Sequence, residues 1–349
     1  MTLTDRLGID LPILQAPMAG VQGGALAAAV SASGALGALP CAMLGPDAMA
    51  DELALIRQRT DRPFNVNFFC HTPPQPDGER QARWHVALTP YYAEFDLDID
   101  GVAPGPGRQP FDHETCDVIE AFRPEVVSFH FGLPAPELLE RVKGWGAVVL
   151  SSATTVEEAR WLEARGVDAV IAQGLEAGGH RGMFLDDALT TQVGTFALLP
   201  QIVAAVGVPV IAAGGIADAD GVTAALALGA SAVQVGTAFL CCPEAATSAV
   251  HRQALQSDAA RHTALTNLYS GRPARSIVTR LMRELGPISA AAPAFPLATA
   301  AIAPLRAAAE AGGSGDFSPL WAGQNASGCR EVPAAEVVKA LAKGLSPPR

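Results

Sequence analysis

Eight short apolar runs, alternating with segments that pattern as helices, constrain the fold of this 349-residue chain more than any other feature. Most of the runs have no polar residue at alternate positions, which is typical of parallel strands covered on both faces. They span residues 13–16, 36–39, 64–68, 126–131, 147–150, 169–173, 208–213 and 232–236. Eight successive strand and helix units predict an α/β fold, a (β/α)8 TIM barrel, with a doubly wound open sheet as the alternative.

Two regions do not follow the strand and helix repeat. Residues 94–112 are rich in turn-forming Asp and Pro, so we expect an insertion there within a barrel that occupies residues 1–256. Residues 257–330 are irregular and rich in Ala and Pro, and we expect a small helical lobe on the substrate side of the barrel mouth. A last amphipathic stretch predicts a C-terminal helix and tail over residues 331–349.

Composition excludes several classes of function. Acidic residues outnumber basic residues 35 to 24, and the net charge of −11 opposes a general affinity for nucleic acid or anionic membranes. The most apolar stretches, residues 197–217 and 288–305, are interrupted by prolines and do not predict membrane spans. The first residues do not resemble an export signal. We therefore expect a cytoplasmic enzyme that acts on small molecules, either as a monomer or as a homodimer.

A barrel carries its chemistry at the carboxyl ends of its strands, so the residues that end each run are the candidate site. The first run leads into Ala16, Pro17 and Met18, which are compact enough for backbone to approach a flat ligand. The third run places Asn65 and Asn67 on one side of the strand. A buried amide needs a partner, which is either a ligand or the adjacent strand.

A glycine-rich loop that holds one histidine follows the sixth run. Gln173 ends the run, and Gly178 and Gly179 precede His180, so little side-chain bulk separates a ligand from the imidazole and the peptide groups. His180 is therefore the predicted catalytic residue. His130, at the end of the fourth run, is a second candidate that would contact substrate in the same pocket.

The turns after the last two runs predict a phosphate site. In TIM barrels these two turns bind phosphate through backbone N–H groups and the N-terminus of a short helix. The residues in question are Gly214, Gly215, Gln234, Val235, Gly236 and Thr237. We therefore expect a ligand that carries a phosphate group.

Residue types that are missing from the strand ends narrow the chemistry further. The three lysines, Lys143, Lys339 and Lys343, lie away from those ends, which disfavours Schiff-base catalysis. No H-x-H or H-E-x-x-H motif and no acidic cluster is found there, so no metal is expected. Neutral amides beside a phosphate cradle suit a flat heterocycle with donor and acceptor edges, and FMN is the candidate cofactor.

Several segments together resemble the nitronate monooxygenases, formerly called 2-nitropropane dioxygenases, of class I. The segments are residues 15–18, Asn67, and residues 128–132, 173–182, 213–216, 234–237, 270–275 and 319–324. The resemblance implies a TIM-barrel flavoprotein that holds FMN without a covalent bond. It also implies the oxidation of alkyl nitronates with O2 to carbonyl compounds and nitrite, with propionate 3-nitronate as the toxic target.

The resemblance also implies which residues contact the cofactor. By motif position, Asn67, Gln173, Gly178, Gly215 and residues 234–237 would contact FMN. His180 would lie near the reactive edge of the flavin. The family's chemistry starts from a nitronate that is already deprotonated, so it does not require a strong base.

Physical chemistry supplies a reason for a histidine at such a site. A nitronate anion that enters an apolar cavity loses its hydration, and His180 could offset that loss as a donor or a cation. An unprotonated imidazole could also deprotonate a neutral nitroalkane. Tyr269 is expected to line the substrate side. Arg272 and Arg275 are either neighbours of the phosphate or ties between the lobe and the barrel.

Two alternatives stay open at this level. A related FMN barrel that uses NAD(P)H, a quinone reductase or an enoyl-thioester reductase, shares the elements at residues 15–18 and 213–216. A cofactor-free phosphate-binding barrel, an isomerase or a ligand sensor, is the second. Residues 288–308, mostly Ala and Pro apart from Phe295 and Arg306, depart from the pattern expected of the family. The resemblance therefore constrains the substrate range less than the cofactor.

Overall fold

The computed structural model describes residues 1–102 and 107–345. Pro104 and Pro106 of the expected insertion, and residues 346–349 of the expected tail, lie outside the described residues. The strands are β1 (Ile13–Gln15), β2 (Gly37–Pro40), β3 (Phe64–Phe69), β4 (Val126–His130), β5 (Val148–Ala153), β6 (Ala169–Gln173), β7 (Gly179–His180), β8 (Val210–Ala213), β9 (Ala232–Val235), β10 (Thr263–Thr266) and β11 (Ala274–Ile277).

Thirteen α-helices accompany these strands in the described part of the chain. They are α1 (Leu3–Leu7), α2 (Gly24–Ala32), α3 (Pro46–Arg59), α4 (Gly78–Glu94), α5 (His113–Phe122), α6 (Pro136–Gly144), α7 (Val156–Glu163), α8 (Thr195–Ala205), α9 (Ala219–Ala227), α10 (Ala249–Leu255), α11 (Arg280–Leu285), α12 (Thr299–Ala311) and α13 (Ala334–Ala342). Several of these helices begin at an N-cap residue. The side chains of Thr155 and Asp218, for example, accept hydrogen bonds from backbone N–H groups at the starts of α7 and α9.

Eight parallel strands form the barrel, in the order β1-β9-β8-β6-β5-β4-β3-β2. The two ends of this row meet at Leu36, whose N–H donates to the Ile13 carbonyl oxygen at 2.9 Å. The Leu36 carbonyl oxygen in turn accepts from the N–H of Gln15 at 2.8 Å. All eight predicted runs coincide with barrel strands. The predicted TIM barrel is confirmed, and the open-sheet alternative is wrong.

Successive side chains of each strand enter two different cores. Val127, for example, packs between the strands and the ring of helices, whereas its neighbour Val126 points into the barrel. The inward cluster also contains Leu3 and Leu7 of α1. Because α1 occupies the amino end of the barrel interior, the open end is the carboxyl end of the strands.

The region predicted as a helical lobe also contains a small sheet. β10 pairs antiparallel with β11, and β11 pairs antiparallel with β7, so that Ala274 lies opposite His180. α11 and α12 pack with α4 around Trp84 and Phe317. The small sheet therefore joins the lobe to the loop that follows β6. The predicted division of the chain at residues 256 and 330 stays a prediction.

The C-terminal helix α13 belongs to the barrel rather than to the lobe. Its buried side chains, among them Val337, Val338 and Leu341, share the core between the strands and the helices, where α13 packs against α2 and α9. It therefore occupies the place of the helix that should follow the eighth barrel strand. No helix within residues 1–102 and 107–345 has the length and apolar character needed to cross a membrane.

Candidate active site

A cavity opens at the carboxyl ends of the barrel strands and encloses about 1330 Å³, including the part open to solvent. All but two of the predicted site residues line it. Those that do are Ala16, Pro17, Met18, Asn67, His130, Gln173, Gly178, Gly179, His180, Gly214, Gly215, Gln234, Gly236 and Thr237. The sequence therefore identified about half of the residues that line one continuous cavity.

The structure does not bring the side chains of Val235 and Tyr269 into this cavity. Val235 lies between Gln234 and Gly236, which both line the cavity, and its own side chain is buried in the core between strands and helices. Tyr269 is buried in the lobe, where its hydroxyl group is hydrogen-bonded to Thr279 and its ring lies 5.6 Å from that of Trp321. Trp321, which lines the cavity, stands where Tyr269 was expected.

His180 is held by hydrogen bonds at both its side chain and its main chain. Its Nε2 lies 2.8 Å from Oγ of Ser270 in the lobe. Its carbonyl oxygen accepts from Nε2 of Gln173 at 3.0 Å and lies 3.2 Å from Nε2 of His130. Gln173 completes the network, because its Oε1 accepts from the N–H of Gly182 at 2.7 Å. The barrel therefore fixes the backbone of His180, and the lobe contacts its ring.

His130 acts on the backbone of His180 rather than reaching freely into the cavity. A carbonyl oxygen only accepts, so Nε2 of His130 carries the proton and Nδ1 accepts from Oγ of Ser152 at 3.0 Å. Burial lowers the pKa of His130 to about 4, with smaller contributions from nearby arginines. His130 is therefore neutral at pH 7, and both of its ring nitrogens are engaged.

The ring of His180 lies in an apolar setting. The rings of Phe295, Trp321, Phe69 and Phe131 have centroids 5.2, 5.5, 6.1 and 6.1 Å from its own. Burial first, and then the positive charge of nearby arginines, holds the pKa of His180 well below its usual range. Of the roles left open by the sequence, this environment favours a neutral donor or acceptor and disfavours an imidazolium.

The amides of β3 contact the neighbouring strand. Nδ2 of Asn67 donates to Oγ of Ser128 at 2.9 Å, and Nδ2 of Asn65 donates to the same Oγ at 2.8 Å. In contrast, Oε1 of Gln234 is buried and has no hydrogen-bond partner among residues 1–102 and 107–345. Gln234 therefore presents an unused acceptor at the cavity wall.

The glycine turns after β8 and β9 leave backbone donors uncovered. Gly214 and Gly215 have φ of 119° and 74°, values that side chains disfavour. In the described part of the chain, the N–H groups of Gly215, Gly236 and Thr237 have no hydrogen-bond acceptor. Thr237 begins a short 3₁₀ helix that runs to Phe239. Together these turns form a cradle suited to an anion.

The two arginines of the 270–275 segment connect the lobe to the barrel. Arg272 donates to the carbonyl oxygen of Met183, and its guanidinium lies 4.2 Å from the centroid of the Phe131 ring. Nε of Arg275 donates to the carbonyl oxygen of Leu175 at 2.9 Å. Of the two roles left open for these arginines, the structure therefore shows the tie between lobe and barrel.

Sequence reasoning missed Arg181, which is fully buried. Its Nη2 and Nη1 each donate at 2.7 Å, to the carbonyl oxygens of Gln173 and Gly174 respectively, and Nε donates to Oε1 of Gln192 at 3.0 Å. Burial lowers its pKa to about 10. Nothing in a glycine-rich loop marks a charged residue as buried, so no sequence signal could have found this role.

Other cavity residues were also missed as site residues. Those with the largest side chains are Phe69, Arg108 and Trp321. Trp321 lies in the 319–324 segment that resembles the family. Arg108 falls in a segment without hydrophobic periodicity, so the sequence did not indicate the direction of its side chain. Within the described ranges, no three His, Cys, Asp or Glu side chains come together as a metal site would require.

A barrel closed at its amino end, with an anion cradle and a half-buried histidine of lowered pKa at its carboxyl end, has the architecture of a (β/α)8-barrel enzyme, a class that binds ligands at that end. The family model for nitronate monooxygenase matches residues 1–344. The chain belongs to the nitronate monooxygenase family, whose members are oxidoreductases. The family resemblance predicted from the sequence is confirmed.

Individual relatives agree with this assignment. The nitronate monooxygenase of Pseudomonas aeruginosa is 43% identical over 354 residues, which cover 98% of this chain and 99% of that protein. The crystal structure of a nitroalkane oxidase from Streptomyces ansochromogenes is 41% identical with a TM-score of 0.88, covering 98% of this chain and 97% of the other. FabK from Thermotoga maritima is 29% identical with a TM-score of 0.72, covering 99% and 96%.

Proposed function

We propose that this chain is an FMN-dependent nitronate monooxygenase that oxidises alkyl nitronates with O2 to a carbonyl compound and nitrite. We further propose propionate 3-nitronate as its physiological target. The observation that carries the proposal is one continuous cavity, with an anion cradle at one part of its wall and the half-buried His180, whose pKa is lowered, at another. Family membership supports the same reaction.

The residues of the cavity fit FMN. The free N–H groups of Gly215, Gly236 and Thr237 suit its phosphate group. The unpartnered Oε1 of Gln234 suits a donor on a heteroaromatic ring, and Asn67 adds an amide to the same wall. When bound, FMN would supply the electron-accepting chemistry that these side chains lack.

The chain's own residues would bind and orient the nitronate. Phe69 and Trp321 line the cavity beside His180 and exclude water from around its ring. An anion placed there loses hydration, so a hydrogen bond from a neutral imidazole is worth more than it would be in water. His180 is held by Ser270 at its ring and by Gln173 and His130 at its carbonyl, so its position is set before substrate arrives.

The direct test is aerobic release of nitrite from propionate 3-nitronate by the purified protein, measured together with its flavin absorbance. We expect a yellow protein that releases nitrite and consumes O2. A protein that lacks flavin absorbance and fails to take up added FMN would instead identify a cofactor-free phosphate-binding barrel. A yellow protein that releases no nitrite from any alkyl nitronate would also contradict the proposal.

The likeness to FabK makes an NAD(P)H-dependent reductase the second candidate. The two functions differ in what reduces the flavin, which can be read from its absorbance under anaerobic conditions. We expect NADH and NADPH to leave the flavin oxidised and a nitronate to bleach it. Rapid and complete bleaching by NADPH alone would assign the reductase.

A further inference from the structure

Arg108 is the one ionic side chain that lines the cavity within the described residues. The rest of the wall consists of apolar groups, amides, hydroxyl groups, backbone and two histidines. Nη1 of Arg108 donates to Oγ1 of Thr299 at 3.2 Å, and the guanidinium lies 5.5 Å from the centroid of the Phe295 ring. Phe295 in turn contacts the ring of His180. The cation therefore lies at the part of the cavity where His180 is found.

No carboxylate of residues 1–102 or 107–345 forms an ion pair with Arg108, although many other arginines of the chain are paired in this way. The neighbouring residues 103–106 are Ala, Pro, Gly and Pro, none of which is acidic. Arg108 is half-buried, and burial lowers its pKa, so a cation without a counter-ion is costly there unless an anion reaches it. The protein thus leaves a positive charge at this end of the cavity for a ligand to neutralise.

We propose that Arg108 is a specificity-determining residue that binds a carboxylate on the substrate, so that the enzyme prefers nitronates with a carboxylate tail over those with a hydrocarbon tail. This inference rests on the proposed function, because it takes a nitronate as the substrate. A guanidinium matches a carboxylate with two parallel N–H to oxygen bonds, which fixes the tail as well as neutralising it. The nitronate group then lies at His180 and the tail at Arg108.

Arg108 has a second possible partner, the nitronate group itself. The two arrangements predict different selectivity. If Arg108 binds the tail, its loss harms only substrates that have a carboxylate there. If it binds the nitronate group, its loss harms all nitronates equally.

The test compares propionate 3-nitronate with propyl-1-nitronate, in which a methyl group replaces the carboxylate. kcat/KM for each is measured in the wild type, Arg108→Gln and Arg108→Lys. In Arg108→Gln we expect the preference for propionate 3-nitronate to fall by about 10- to 100-fold, because a charge-assisted hydrogen bond is lost. Arg108→Lys keeps the positive charge but loses the two parallel N–H donors of the guanidinium. Its preference for propionate 3-nitronate should lie between those of the wild type and Arg108→Gln. Arg83→Gln, on the exposed surface of α4, is the matched control.

A binding measurement provides a readout that does not depend on turnover. Calorimetric titration of the holoenzyme with butyrate and with uncharged butyramide should show weaker binding of butyrate in Arg108→Gln, with butyramide unchanged. An equal loss of kcat/KM on both nitronates, or no loss on either, would overturn the assignment of Arg108. Wild-type protein that oxidises neither nitronate would instead contradict the proposed function, and the butyrate titration would still test Arg108.

Discussion

Nε2 of His130 donates a hydrogen bond to the main-chain carbonyl oxygen of His180 over 3.2 Å. The two histidines, of which the sequence predicts His180 as catalytic and His130 as a second candidate that contacts substrate, therefore have different roles. His180 presents its ring to the cavity, whereas His130 fixes the backbone from which that ring projects.

The variant His130→Ala should keep its cofactor and lose about tenfold in kcat, since misplacement of a catalytic group is costly even when binding survives. His130→Gln can still donate to the carbonyl oxygen of His180 and should recover part of the loss. Nitrite release gives the rate and flavin absorbance gives the cofactor content. Unchanged turnover in His130→Ala would show that Gln173 alone positions the loop.

Replacing His180 with alanine should leave FMN bound and remove most of the nitronate turnover, by about 100-fold or more. The cradle residues lie on other strands, so cofactor binding has no reason to fail. His262→Ala, which changes an exposed histidine of the lobe, is the control. Wild-type rates in His180→Ala would exclude the histidine from the reaction.

Gly178→Ala tests the close approach of two backbone segments at the cavity wall. A Cβ at Gly178 would lie 2.5 Å from the backbone nitrogen of Gly323, which donates to Oγ1 of Thr237 in the cradle. The added methyl group should displace that segment and weaken FMN binding, measured by titrating the apoprotein with FMN and following its fluorescence. Gly144→Ala, where a Cβ meets nothing within 4 Å, should bind FMN normally. Equal affinities in the two variants would contradict the prediction.

Stability should fall as the pH drops from about 6.5 towards 4, because buried histidines stay neutral in the folded chain while they bind protons in the unfolded chain. His251 is 2% exposed, its Nε2 donates to the carbonyl oxygen of Trp321, and burial lowers its pKa to about 4. A folded-state pKa below the unfolded value means that protonation favours unfolding within this window. Such a group changes the free energy of unfolding by about 1.4 kcal/mol per pH unit.

Urea denaturation at pH 7 and pH 5 measures this dependence. His251→Gln removes the titration and keeps a donor for the Trp321 carbonyl oxygen, so its stability should depend less steeply on pH. A slope identical to that of the wild type would exclude His251 as a source of the effect.

The barrel could be predicted from the sequence because most of its strands are largely apolar runs without alternating polar residues, as buried parallel strands require. The small sheet of the lobe could not. β7 has two residues, β10 and β11 have four each, and their pairing joins positions about 95 residues apart, from His180 to Ala274. No local pattern contains that information.

The candidate site could be predicted to the level of strand ends but not of side-chain direction. Val235 and Gln234 are neighbours in one motif, yet the pleat of β9 sends one into the core and the other to the cavity. For the charged residues Arg181 and Arg108, too, the sequence does not predict the direction of the side chain. Both are cations in irregular segments, and only the folded chain reveals that one is fully buried and the other lines the cavity.

The position of α13 has a consequence for how the chain reaches its native state. α13, the last helix of the ring, leaves the ribosome only after the whole lobe has been made. A nascent chain that has emerged only to residue 256 exposes the apolar groove between α2 and α9 that Val337, Val338 and Leu341 later cover. Chaperones that recognise exposed hydrophobic surface should therefore engage this protein until α13 has emerged and packed.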